Sequence, residues 1–188
     1  MIRGVPYDVE VEYLRSSGEF IPYIDTLIDY FPDFELMVYI PEGVRNVTMT
    51  SGDYLLERID STNPYWRLYV GSDIRTRISV YGEHILSLRG NVFSVDGTDF
   101  NVSDRQWGSS RCYFPRNKIS GYQIDYYYVK FWDNNNNLVR DFIPVRVGNT
   151  GYIYDRVTRK LFGNQGTGSF LLGPDVARPV MGLHLYPH

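Results

Sequence analysis

Apolar and polar residues alternate along most of this chain. Val9, Val11 and Tyr13 interleave with Asp8, Glu10 and Glu12, and Ile74, Ile78 and Val80 mix with Arg75, Arg77 and Ser79. A two-residue period sends successive side chains to opposite faces, so these segments predict half-buried antiparallel strands. Residues 34–40 (FELMVYI), closed by Pro41 and Gly43, and residues 65–70 (YWRLYV), closed by Gly71, are compact apolar runs that predict inner strands. Asp96-Gly97 lies between two short alternating runs and predicts a type I′ hairpin, because both turn residues must reach positive φ. Residues 122–132 (YQIDYYYVKFW) carry large side chains on both alternating sets, which predicts a central strand whose two faces must both find cover. The polar run from Asp133 to Asn137 then turns the chain into further strands over 138–147, GYIYD, RKLFGN and GSFLLG.

About twelve to fourteen strands at roughly 8 to 12 residue spacing are expected to stack as two sheets face to face. No window shows a capped 3.6-residue period longer than two turns, and neither a repeat nor a linker interrupts residues 5–174. The predicted class is all-β, a two-sheet antiparallel jelly-roll sandwich over residues 1–174 with residues 175–188 as a separate C-terminal tail.

Composition sharpens that reading. With 188 residues the chain can bury roughly 70 % of its unfolded surface in one core without disulfides or metal. Alanine occurs once, at Ala177, against 17 tyrosines, which removes the best helix former and enriches a strand former. A net charge of −3 and a sequence pI of 5.6 offer no general attraction to nucleic acid or anionic lipid. Cys112 is the single cysteine, so it forms no intramolecular disulfide and reads as a small buried hydrophobe. The start MIRGVPYDVEVEY lacks the apolar stretch of a secretory leader, and no run of 18 apolar residues appears, so neither a leader nor membrane insertion is expected.

The C-terminal third, from KISGYQIDYYYVKFW through LVRDFIPVR, GYIYD and LFGNQGTGSF, resembles the end of concanavalin A-like (laminin G-like) jelly-roll domains of phage virion and gut Bacteroidales proteins. The opening VEYLRSSGEFIPYIDTLI is similar to their start, and together the two segments cover about 75 residues. Residues 30–117 depart from the pattern, in the region where such domains vary their loops. The resemblance implies a jelly roll used for attachment or decoration, often of virions, with glycan as a common target, and it does not imply catalysis.

Several constellations carry candidate chemistry. Asp8, Glu10 and Glu12 stand at i, i+2 and i+4, hence on one strand face, and a retaining glycosidase needs two carboxylates about 5 to 5.5 Å apart. The same spacing equally describes a solvated outer face opposite Val9 and Val11. His84, His184 and His188 have neither metal-ligand spacing nor a nucleophile motif. Asp133, Asn135 and Asn137 offer the oxygen ligands calcium prefers, while asparagine runs also make plain turns; no cofactor is expected, with calcium as the alternative. The glycines of GNQGTGSF read as turn residues, since no helix follows and no lysine stands in place. Trp107 sits in a polar loop between Arg105 and Arg111, the pattern of an exposed ring that stacks on a sugar or anchors a partner, or else packs. Trp66 and Trp132 lie within strands and are expected in the core. In the tail, Met181, Leu183 and Leu185, with Tyr186 beyond, alternate as a lone apolar strand that invites pairing with a neighbouring chain's sheet edge, or else a disordered end.

Arginine outnumbers lysine 16 to 3, and arginine with tyrosine is the composition that interfaces favour. The expected function is a non-catalytic phage virion module, in a decoration, fibre or receptor-binding role. Its expected partners are itself, other virion proteins and host-surface glycan, without nucleic acid. The alternatives are a concanavalin A-like glycoside hydrolase using Glu10 and Glu12, and a bacterial surface or secreted carbohydrate-binding protein.

Overall fold

The computed structural model describes residues 4–16, 22–42, 46–59, 65–76, 78, 81–115 and 123–177. They form seventeen strands and no helix. In chain order these are β1 (Val9–Glu10), β2 (Leu14–Arg15), β3 (Ile24–Asp25), β4 (Asp33–Ile40), β5 (Asn46–Ser51), β6 (Tyr54–Ile59), β7 (Tyr65–Tyr69), β8 (Asp73–Arg75) and β9 (Gly82–Arg89). Then follow β10 (Val92–Val95), β11 (Thr98–Asn101), β12 (Cys112–Phe114), β13 (Asp125–Trp132), β14 (Leu138–Val147), β15 (Thr150–Asp155), β16 (Lys160–Phe162) and β17 (Leu171–Leu172). The count exceeds the expected twelve to fourteen because four of the strands, β1, β2, β3 and β17, are two-residue pieces.

Two antiparallel sheets pack as a sandwich, a jelly-roll-like all-β fold. The eleven-stranded sheet runs β11-β10-β9-β4-β13-β14-β15-β16, with β1 on β14, β2 on β13 and β17 on β2; the six-stranded sheet runs β3-β12-β5-β6-β7-β8. Both predicted inner strands have a neighbour on each side. β4 lies between β9 and β13, and β7 lies between β6 and the short edge strand β8. The 122–132 segment supplies β13, which pairs with β4 on one side and with β2 and then β14 on the other. The N-terminal strands thereby fill the flank that β14 leaves as it diverges from β13.

Period-two patterning builds the core. Phe34, Leu36, Val38 and Ile40 of β4, Trp66 and Leu68 of β7, and Val70 just after it are fully buried between the sheets. Contact across the layers is aromatic: Phe114 of the small sheet meets Tyr126, Phe131 and Phe142 of the large one at centroid separations of 5.5–6.3 Å. Trp66 meets His84 edge-on at 5.9 Å. His84 is itself buried, with Nδ1 2.7 Å from Asp96 Oδ2 and Nε2 3.1 Å from the Tyr81 carbonyl oxygen, so it serves the sandwich interior. Cys112 is buried in the same core, and burial pushes its thiol up to about 12.

The Asp96-Gly97 hairpin forms as predicted. Val95 pairs with Thr98, and the turn residues take φ of 49° and 79°. Asp175 bridges Val11, and the Val176 amide donates to the Glu10 carbonyl at 2.8 Å, so the chain's own sheet continues through those residues. Met181, Leu183, Leu185 and Tyr186, and with them His184 and His188, lie outside the described residues.

A correction concerns Trp132. It is only half-buried and stands on the outer face of the large sheet, not in the core. That face gathers Glu35, Met37 and Tyr39 from β4, Glu83 and Ile85 from β9, and Tyr127, Tyr128, Lys130 and Trp132 from β13; Tyr39 and Ile85 are 38 % and 46 % exposed. Among the described residues the outer face is covered only at its start, where Arg15 pairs with the buried Asp125 and Tyr13 meets Tyr127 edge-on at 5.7 Å.

Candidate binding site

The site begins with a loop that cannot follow either sheet. After β11 the chain passes along the end of the sandwich, held by the Gln106 amide donating to the Val70 carbonyl at 2.8 Å and the Phe31 amide donating to the Trp107 carbonyl at 2.6 Å. Two left-handed residues, Asp104 at φ 50° and Gly108 at φ 67°, bracket the segment that carries Arg105 and Trp107. Opposite it, Gly71 takes φ +97°, and a Cβ there would lie 2.5 Å from the Asp104 carbonyl oxygen, so the loop passes where only glycine leaves room.

Arg105 turns inward. Its side chain is 3 % exposed, and its Nη1 donates to Asp33 Oδ1 and to the Gly90 carbonyl. Asp33, at the start of β4 and 8 % exposed, also accepts the Gly90 amide at 3.0 Å. Burial holds the Arg105 pKa below its ordinary value, against the pull of Asp33. Its Nε and Nη2 have no hydrogen-bond partner among the described residues.

The guanidinium plane of Arg105 stacks 4.0 Å from the centroid of Trp107, which is half-buried and meets Tyr30 edge-on at 5.9 Å. A second arginine repeats the arrangement on the other side of Asp33. Arg89 Nε lies 3.9 Å from Asp33 Oδ2, and its guanidinium stacks 3.8 Å from the centroid of Trp132. Two indole–arginine stacks thus converge on one carboxylate.

The turn after β13 borders this cluster. Asp133 Oδ1 accepts the amides of Asn135 and Asn137 at 2.9 and 2.8 Å, and Oδ2 accepts Asn137 Nδ2 at 3.0 Å. Those bonds, led by the Asn137 side chain, hold the Asp133 carboxyl below its ordinary range. Asn136, at φ 64°, accepts Arg89 Nη2 through its side-chain oxygen. The candidate calcium ligands Asp133, Asn135 and Asn137 are therefore close together, with the carboxylate bonded into its own turn. Among the described residues no group of three or more His, Cys, Asp or Glu is placed to hold a metal ion.

Of the three residues read as a binding loop, Trp107 and Arg105 belong to one cluster and Arg111 does not. Arg111 Nε lies 3.2 Å from Asp29 and 3.5 Å from Asp25 instead. The expected exposed loop is also more packed than the sequence pattern suggested: Arg105 is buried, and Trp107 is only part-exposed. Arg89, Asp33, Tyr30 and Trp132 were missed, and the sequence signal for Trp132 was its place on the second set of large residues in YYYVKFW.

Two of the three acids are engaged elsewhere, and Glu12 is exposed. Asp8 Oδ2 accepts the Gly148 amide at 2.8 Å, and Glu10 accepts the Tyr7 hydroxyl at 2.9 Å beside a small outer cluster of Tyr7, Val145 and Tyr154. Val11 is buried on the opposite side.

Chemically, the cluster can stack rings and donate hydrogen bonds. Its carboxylate is engaged by Arg105 and Gly90, and what remains toward solvent is indole and the 39 %-exposed Arg89. No family model matches the chain, and no curated protein or solved structure matches it either.

Proposed function

We propose that this chain is a non-catalytic jelly-roll module of a phage particle, in a decoration, fibre or receptor-binding role, that assembles with itself and other virion chains and holds host-surface glycan. The observation that carries the reading is the pair of part-exposed indoles, Trp107 and Trp132, each backed by an arginine at one end of the sandwich. Sugar rings present an apolar face and a rim of hydroxyls, and an indole beside an arginine offers a complement to each. The Arg- and Tyr-rich composition and the open aromatic face of the large sheet support assembly.

A glycan array and a virion pull-down test the proposal. Trp132→Ala and Trp107→Ala are expected to weaken glycan binding about tenfold each, the usual loss on truncating an aromatic anchor. A monomer that retains no glycan and no virion protein overturns the reading. A gene neighbourhood of polysaccharide-utilisation genes in place of capsid and tail genes would transfer it to a bacterial surface lectin.

A further inference from the structure

A second concavity lies away from the indole cluster, where the free edges of the two sheets face each other. β16 closes one end of the large sheet and β3 one end of the small sheet. Between them is a cleft of about 280 Å³ lined by Asp25, Leu27, Lys160, Leu161, Phe162, Gly163 and Gln165. One end is tied shut: the Gln165 amide donates to the Tyr23 carbonyl at 2.8 Å, and the Tyr23 amide donates to Asn164 Oδ1 at 3.0 Å.

Of the five non-glycine residues with positive φ among the described residues, one lines the cleft and another stands beside it. Leu27 takes φ 58° and is 53 % exposed, and Arg159, next to Lys160, takes φ 58°. A leucine in the left-handed region costs conformational energy and here gains no burial in return. The surroundings enforce it: Asp25 Oδ1 accepts the Leu27 amide at 2.9 Å, and Thr26 Oγ1 donates to the Cys112 carbonyl at 2.7 Å. Strain of this kind that packing does not repay is a mark of a functional wall.

The charges in the cleft are unequal. Asp25 accepts the Leu27 amide and shares Arg111, at 3.5 Å, with Asp29 at 3.2 Å, whereas the exposed Lys160 side chain has no partner among the described residues. A two-residue period places Lys160 on the same face of β16 as the buried Phe162. The cleft therefore sets an ammonium, bonded directly by no carboxylate among the described residues, beside an apolar wall of Leu27 and Phe162. We infer that it binds a small organic carboxylate with a flat apolar face, the carboxylate on Lys160 and the apolar face between Leu27 and Phe162. At about 280 Å³ it has room for one ring, at the small end of ligand sites.

Benzoate and its neutral isostere benzamide are the probes, titrated into the full chain and followed by amide chemical shifts. Benzoate is expected to shift Leu27, Phe162 and Gly163 saturably, and benzamide to bind about tenfold more weakly, because it forgoes a charge-assisted hydrogen bond. Lys160→Met is expected to erase the difference between the two probes. Leu27→Gly relieves the left-handed strain, so it is expected to leave the unfolding midpoint equal or higher while weakening both probes. Equal affinity for benzoate and benzamide, shifts elsewhere on the molecule, or unaltered binding in Lys160→Met overturns the inference. Because the probes avoid the indole cluster, failure here leaves the glycan reading untouched, and the converse holds.

Discussion

Arg105 and Asp33 form an ion pair sealed at the end of the sandwich, their side chains 3 % and 8 % exposed. Seventy-two residues of chain separate them, and the pair fastens the loop after β11 to the first residue of β4. Trp107 lies over the outer side of the guanidinium, so the geometry of the candidate site depends on a contact that is itself hidden from solvent.

Removing one partner should therefore cost far more than a surface pair would. Asp33→Ala leaves a buried guanidinium without its counter-charge and is expected to lower stability by about 3–5 kcal/mol, read from denaturant midpoints. Arg105→Ala combined with Asp33→Ala is expected to cost clearly less than the sum of the single changes. Additive losses would show that the two side chains do not act as a pair.

Two glycines with the same φ of +97° separate backbone strain from close approach. A Cβ at Gly82 would meet nothing within 4 Å among the described residues, whereas at Gly71 the Asp104 carbonyl oxygen lies 2.5 Å away. Gly82→Ala is expected to cost about 1 kcal/mol from conformation alone. Gly71→Ala is expected to cost at least twice as much and to shift the tryptophan emission as the Trp107 loop moves. Equal costs with unchanged emission would refute the close-packed path of that loop.

Acid should weaken the small sheet through Asp73. Hydrogen bonds from Arg67 first, and then Arg75, hold its pKa below the ordinary 3.8. A depressed folded-state pKa gives stability that is complete above about pH 4 and is lost as pH falls through the lowered value. Asp73→Asn is thus expected to be less stable than the parent at pH 7 and to converge with it toward pH 2. A parallel offset at all pH values in thermal melts would contradict this.

Alkali should reveal the outer face of the large sheet. Tyr127 and Tyr128 are both pushed up to about 12, chiefly by burial and then by Glu83 and Glu35 respectively. Their raised values favour the neutral phenol in the folded state. That contribution is intact below the ordinary value of 10.0 and is lost as pH climbs through about 12. Tyr127→Phe is expected to remove one late-ionising phenol from the absorbance titration; loss of an early-ionising one instead would displace Tyr127 from its place beside Glu83.

Local patterning carried much of the fold. Alternation along 34–40 and 65–70, the Asp96-Gly97 pair and the scarcity of alanine each act within a few residues, through strand periodicity, turn dihedrals and propensity. Such terms settle which segments are strands and which side chains face inward. Of the two valines expected opposite the acidic triplet, Val11 is buried and Val9 only half-buried, level with Asp8 and Glu10.

What the chain could not disclose locally is where alternation slips and which distant loops meet. The register of β13 against β4 shifts between Tyr126 and Tyr128, so Tyr127 and Tyr128 both reach the outer face, toward Glu83 and Glu35. Beyond the slip Lys130 and Trp132 also face outward while Val129 and Phe131 stay in the core, and Trp132 meets Arg89 on the outer side. A bulge is a property of two paired strands, and neither strand's sequence contains it. The convergence of Arg105, Asp33 and Arg89 is of the same kind: three charges from three parts of the chain become a site only when packing removes the water that would otherwise screen them.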